Sequence, residues 1–129
     1  MDRVPIPDDV ARFILLGIPS VPYLEAILLL RRERGVAWDA KRVAQRLYLT
    51  EKAAQALLIE LHTAGLADCV YGQANLYRYR PKSEELGEMI DRLEQAYAGN
   101  LIDVTNLIHS RTNKKAQQFA DAFIWRKDS

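Results

Sequence analysis

Two amphipathic stripes joined by a very short link leave the middle of this chain little freedom. In the segment DAKRVAQRLYLTEKAAQALLIELHTAGLA, Ala40, Val43, Ala44 and Leu47 follow the i, i+3, i+4, i+7 pattern of one buried helix face. Asp39 stands where that helix needs an N-cap. Ala54, Leu57, Leu58 and Leu61 form a second such face. Thr50 is placed to cap it, Glu51 suits its first turn, and Gly65 stops it. Between the two lies only a tight turn at Tyr48-Leu49.

The next segment, VYGQANLYRYRP, spans Val70 to Pro81. Two alternating runs flank a tip of small and polar residues, Gly72-Gln73-Ala74-Asn75, which predicts a hairpin. A hairpin alone is barely stable in water, so this one must lie against the helices before it. Alternation puts Tyr77 and Tyr79 on one face of the return strand and Arg78 and Arg80 on the other. Cys69, Tyr71 and the two tyrosines are expected to cover the core.

Upstream, Asp8 or Asp9 can cap a short helix over Val10–Leu16, which Gly17, Pro19 and Ser20 break. Ser20 can cap a second helix with Pro22 in its first turn. That helix, Val21 to Arg34, carries Tyr23, Leu24, Ala26, Ile27, Leu28, Leu29 and Leu30. A helix apolar nearly all round belongs at the centre of a core. It ends in RRERG, with cations in the last turn and Gly35 as the stop. Val36–Trp38 reads as short and extended.

Downstream, Ser83 can cap a helix that starts at Glu84. Its apolar positions are Leu86, Ile90, Leu93, Tyr97, Leu101, Val104 and Ile108, a near-heptad seam. Gly99-Asn100 interrupts it, which predicts one long helix or two bent at Gly99. A last helix would bury Ala116, Phe119, Ala120, Phe123 and Ile124, with Trp125 close behind. So long an amphipathic helix is expected to pair with its counterpart in a second subunit. The division expected is 1–82 for the first domain and 83–129 for a helical dimerisation extension.

Helix, turn, helix and hairpin in this order resemble a bacterial winged helix-turn-helix domain of the MarR or ArsR kind. The residues that carry the resemblance are Val43-Ala44, Leu47, Leu49-Thr50, Ala54, Leu57-Leu58, Leu61 and Gly65-Leu66. They are packing and capping positions, and the match covers about half the chain, residues 21–81. The fold class expected is mainly α with a small β-hairpin: a winged helix-turn-helix domain plus C-terminal dimerisation helices. The tail from YRYRP through LIHS to FADAFIWRK is also similar to that of small bacterial winged-helix proteins.

The resemblance implies a homodimeric transcriptional regulator of double-stranded DNA. Transferred to this chain, Thr50, Lys52, Gln55 and Ala56 would face the major groove, with Ile59 further along the same side. Gln55 can pair with adenine, Lys52 can reach guanine or phosphate, and Ala56 can touch a thymine methyl. Arg42 and Arg46 would hold the DNA backbone, and Arg78 and Arg80 would reach the adjacent minor groove or its phosphates. A different class is the alternative: a protein-interaction module that keeps the fold without DNA binding. The outward Ile59, together with Glu51 and Glu60, favours it. A small-molecule effector is a third partner to consider, held between the winged domain and the dimer helices by Tyr23, Trp38, Tyr48 and Trp125. Aromatics at such positions are more often simply core.

Charge separates these classes only weakly. The 129 residues carry a net charge of +1, unlike a strongly basic nucleic-acid binder. Residues 1–82 hold 12 Lys/Arg against 9 Asp/Glu, however, while residues 83–129 hold 6 against 8. Segment 31–52 is the most basic, and a field that steers a polyanion would arise there. With 49% hydrophobic residues and only six Gly and five Pro, the chain has no signature of disorder. The one cysteine, Cys69, excludes an intramolecular disulfide and suits a reducing compartment. Pro19, Ser20, Pro22 and Glu25 interrupt the apolar stretch Phe13–Leu30, so no membrane span is expected. MDRVPIPDDVAR is too acidic for a signal peptide, and the expected location is the cytoplasm. His62 and His109 lack metal-ligand spacing, and neither a nucleophile motif nor a phosphate-cradling Gly loop occurs. No metal, cofactor or catalytic residue is expected.

Overall fold

The computed structural model describes residues 5–70, 72, 73 and 75–110. They form a mainly helical chain with one two-stranded antiparallel sheet. In order these are α1 (Asp8–Gly17), α2 (Val21–Arg32), α3 (Ala40–Leu47), α4 (Glu51–Thr63), β1 (Ala67–Cys69), β2 (Tyr77–Tyr79), α5 (Glu84–Gly99) and α6 (101–110). The last helix expected from sequence, with Trp125, lies outside the described residues, as do Tyr71 and Ala74 of the hairpin. Among the described residues no single helix is long and apolar enough to cross a membrane.

The described residues divide into two compact units, one of residues 22–94, the other of residues 5–21 and 95–110. The boundary between these units thus falls inside α5. Ion pairs from α2 explain why the first turns of α5 belong with the helices before them. Arg31 Nε lies 2.9 Å from Asp91 Oδ1, Arg31 Nη1 pairs with Glu94 Oε2, and Arg32 Nε lies 2.7 Å from Glu94 Oε1.

In the 22–94 unit, α2 is central. Tyr23, Leu24, Ala26, Ile27, Leu28, Leu29 and Leu30 are all buried, as its composition requires. Helix α3 buries Val43 and Ala44; α4 buries Ala54, Leu57, Leu58 and Leu61. The two helices pack on each other, and α4 also packs on β1. Both expected caps form: Asp39 accepts from Arg42 N at 2.9 Å, and Thr50 Oγ1 accepts from Ala53 N at 3.1 Å. The cap expected of Ser83 forms too, with Ser83 Oγ accepting from Leu86 N at 3.1 Å.

The sheet pairs Ala67 with Tyr79, Asp68 with Arg78 and Cys69 with Tyr77. Trp38 extends it. Trp38 N donates to Tyr77 O at 2.7 Å, and Tyr77 N donates back to Trp38 O at 2.8 Å. The expected extended segment before α3 is thus a one-residue third strand, and it ties the hairpin down. Tyr77 and Tyr79 are buried and Arg78 is exposed, as the alternation requires. Tyr77 also meets the His62 ring edge-on, with centroids 6.0 Å apart. Cys69 departs from expectation: it is exposed rather than part of the core. It shares its face with the buried Ala67 and stands opposite Tyr77, but it ends the three-residue strand β1 and is left open to solvent there.

In the other unit, α1 buries Val10 and Ile14, followed by Ile18; Ala96, Asn100, Val104 and Ile108 are the buried residues of 95–110. Helix α1 starts at Asp8 without a side-chain cap. Asp9 Oδ1 accepts from its neighbour Val10 N, at 2.9 Å. The long C-terminal helix is interrupted at Asn100, one residue after the expected point. Asn100 N still donates to Ala96 O at 2.8 Å, and Val104 N to Asn100 O at 3.0 Å.

Candidate functional site

Helix α4 turns Leu57, Leu58 and Leu61 inward, so its N-terminal half presents another set of side chains to solvent. Thr50, Lys52 and Ala56 are exposed and Gln55 is half-buried. Ile59 is 48% exposed, one turn further along. Lys52, Gln55, Ala56 and Ile59, at i, i+3, i+4 and i+7, therefore share one face, while Thr50 is exposed at the end of the helix as its N-cap. Thr50 uses an oxygen lone pair as the α4 cap and keeps its hydroxyl proton for another acceptor.

The arginines of α3 are placed differently from each other. Arg42 is exposed, and its Nη1 donates to Ala37 O at 3.2 Å. Arg46 lies 2.7 Å from Glu33 Oε2, and its guanidinium sits 5.6 Å from the centre of the Trp38 ring. Those contacts fasten α3 to the end of α2 and to the sheet. Arg46 is nevertheless exposed, with 53% of its side chain open to solvent. Sequence gave no sign of these contacts, since Glu33 and Trp38 lie in a different segment. Glu33, Val36, Trp38, Arg42, Gln45 and Arg46 together line a shallow cleft of about 260 Å³.

On the hairpin, Arg78 stands opposite Asp68 on the exposed face. Arg80 Nη1 is 3.7 Å from Asp68 Oδ2, an exposed pair that restrains it little. Both guanidinium groups are accessible. The tip turns through positive φ at Gly72 (75°) and Asn75 (71°), which glycine and asparagine tolerate best.

Of the four aromatic residues, Trp125 lies outside the described residues, and the other three are placed differently from one another. Tyr23 and Trp38 are core residues at 5% and 2% exposure, whereas Tyr48 is 95% exposed. Tyr48 therefore departs from the reading of such aromatics as more often core. Burial, and then the Glu60 charge, push the Tyr23 hydroxyl pKa up. Burial and the nearby Asp91 do the same for Tyr79, against the pull of Arg31 and Arg34. Arg34 sits over the Tyr79 ring, 5.5 Å from its centre. A wider open cleft of about 490 Å³ lies beside it, lined by Arg34, Tyr79, Arg80, Glu84, Glu88 and Asp91 among others. No group of three or more His, Cys, Asp or Glu side chains is arranged for a metal among the described residues.

The expected dimer seam is split. Ile90, Leu93 and Val104 are fully buried within the single chain and Ile108 nearly so. Leu86 and Tyr97 are half-buried. Leu101 is 56% exposed, and beside it Ile102, which the seam did not include, is 61% exposed. The apolar period thus serves the fold of one chain at four positions and leaves an apolar surface chiefly at the start of α6. Compared with family models, curated proteins and solved structures, the chain matches none.

Proposed function

We propose that this chain binds double-stranded DNA as a winged helix-turn-helix homodimer and regulates transcription. One observation carries the reading. The N-terminal half of α4 offers Lys52, Gln55 and Ala56 along one accessible edge, with the N-cap Thr50 exposed at its start and the leucine stripe of the helix buried. That is the set of groups a reading helix needs: donors and acceptors for base edges, a cation for guanine or phosphate, and a methyl for thymine. Arg42 beside it and Arg78 and Arg80 on the hairpin supply accessible cations for the DNA backbone. The hairpin is the wing, and its double hydrogen bond to Trp38 holds it against the helices.

The dimer would form around Leu101 and Ile102, with Tyr97 beside them. Two-fold symmetry then places half-sites about 34–36 Å apart. Binding of a labelled duplex by fluorescence anisotropy tests the reading. Wild type binds, and the double variant Arg78→Ala, Arg80→Ala binds several-fold more weakly. Equal binding by both removes the wing from the interface; no binding by a folded wild type removes DNA.

Ile59 favours a second reading, a protein partner. Half-exposed isoleucine flanked by the exposed Glu60 suits a protein contact better than a groove. On that reading, Ile59→Ser abolishes capture of the partner and leaves duplex binding absent in both proteins.

A further inference from the structure

Two helix ends in this chain close with the same bond, and only one uses the residue that geometry favours. At the end of α4, Leu66 N donates to Leu61 O at 2.9 Å while Gly65 holds the left-handed conformation at φ 78°. At the end of α3, Leu49 N donates to Ala44 O at 3.0 Å while Tyr48 holds it, at φ 57° and ψ 47°. Glycine takes this conformation freely, whereas a tyrosine with its Cβ does so at a cost in stability. The Tyr48 side chain recovers none of that through burial, since it is 95% exposed. A bulky residue in this region of the backbone directs attention to function.

Position supplies the ligand. Tyr48 lies two residues before Thr50, the cap of α4, and so flanks the end of the helix assigned to the groove. Residues that flank a reading helix meet the groove wall, which is phosphate, and tyrosine hydroxyls are among the donors used there. Its exposed sequence neighbours Gln45, Arg46, Thr50, Glu51 and Lys52 are all polar or charged, two cations against one acid, which suits a phosphate better than an apolar partner. Resting on the DNA reading above, we propose that the Tyr48 hydroxyl donates a hydrogen bond to a DNA phosphate at the N-terminal end of α4. The strained turn is kept because it carries that hydroxyl outward.

The test compares Tyr48→Phe and Tyr48→Gly with wild type, using duplex affinity at several salt concentrations and thermal melting. Tyr48→Phe is expected to bind about tenfold more weakly, as befits one hydrogen bond to a charged group. Its log–log salt slope stays unchanged, because no cation has been removed. Tyr48→Gly is expected to lose at least as much affinity while melting a few degrees higher, since the left-handed strain is relieved. A purely structural Tyr48 gives the reverse: a lower melting temperature for glycine and full affinity for both. Full affinity for phenylalanine with loss for glycine overturns the hydroxyl contact in favour of the ring. If wild type itself binds no duplex, the DNA reading fails and this inference with it; if wild type binds and both variants match it, only this inference fails.

Discussion

Replacing Glu94 by alanine should cost this protein far more than a surface ion pair is worth. The Glu94 side chain is 20% exposed and accepts from two arginines of α2, Arg31 Nη1 and Arg32 Nε. The Arg31 side is well shielded, at 22% exposure, and a charge-assisted bond there contributes about 1.5 kcal/mol or more. The Arg32 side is 56% exposed, and its bond is worth roughly 0.5 kcal/mol. Burial works against the Arg31 charge, but the Asp91 hydrogen bond and the Glu94 and Asp91 charges outweigh it and hold its pKa above the ordinary value. Glu94→Ala leaves that guanidinium with Asp91 alone, so the total loss is about 2 kcal/mol. With an unfolding entropy of about 2.1 cal/mol/K per residue, this lowers the melting temperature by roughly 7 °C. Asp68→Ala is the comparison, because Asp68 and Arg80 are 3.7 Å apart with side chains 50% and 74% exposed. Its expected shift is under about 2 °C. Differential scanning fluorimetry of both variants decides the matter. Equal shifts would refute the claim that the arginines of α2 hold the start of α5 in place.

Two further predictions concern backbone and titration. Gly65→Ala places a Cβ at φ 78° and brings it within 2.5 Å of Lys82 Cδ, so a loss of about 1–2 kcal/mol is expected in urea unfolding; no loss would mean that the end of α4 is not constrained in this way. Tyr23 and Tyr79 have pKa values raised above the ordinary 10.0, chiefly by burial, so the folded chain holds both protons more tightly than the unfolded one. Their contribution to stability is complete below about pH 10 and is lost as pH rises through the folded values, and thermal melting should fall over that window, less steeply in Tyr79→Phe. A melting temperature that is flat above about pH 10 would contradict the burial of these hydroxyls.

Local signals in the sequence carried most of the helical part of the fold. Asp39, Thr50 and Ser83 cap the helices they precede, and Gly65 takes the positive φ that its place after α4 implied. The YRYR alternation sorts Tyr77 and Tyr79 inward and Arg78 outward, because a strand has only two faces. Pairings between distant segments were not legible. Nothing in RRERG indicates that Arg31 and Arg32 reach Asp91 and Glu94, or that Arg46 meets Glu33 and Trp38. The near-heptad period of α5 and α6 looks the same whether a partner subunit or the chain itself covers it, and the chain itself covers Ile90, Leu93, Val104 and Ile108. On α4 the exposed face followed directly from the buried stripe. Tyr48 did not, because residue type suggested core while the turn geometry sends the ring into solvent.

DNA binding is tested most directly by the affinity of the wild-type chain for a random labelled duplex at about 50 and about 200 mM salt. Each phosphate neutralised by Lys52, Arg42, Arg78 or Arg80 adds about 0.9 to the log–log slope. Four such contacts per subunit, in both subunits of the dimer, give a slope of roughly 7, and affinity then falls on the order of 10,000-fold across this interval. A slope in that range establishes the cationic face as a DNA surface. A folded protein that binds no duplex at the lower salt contradicts it and turns attention to what covers Ile59.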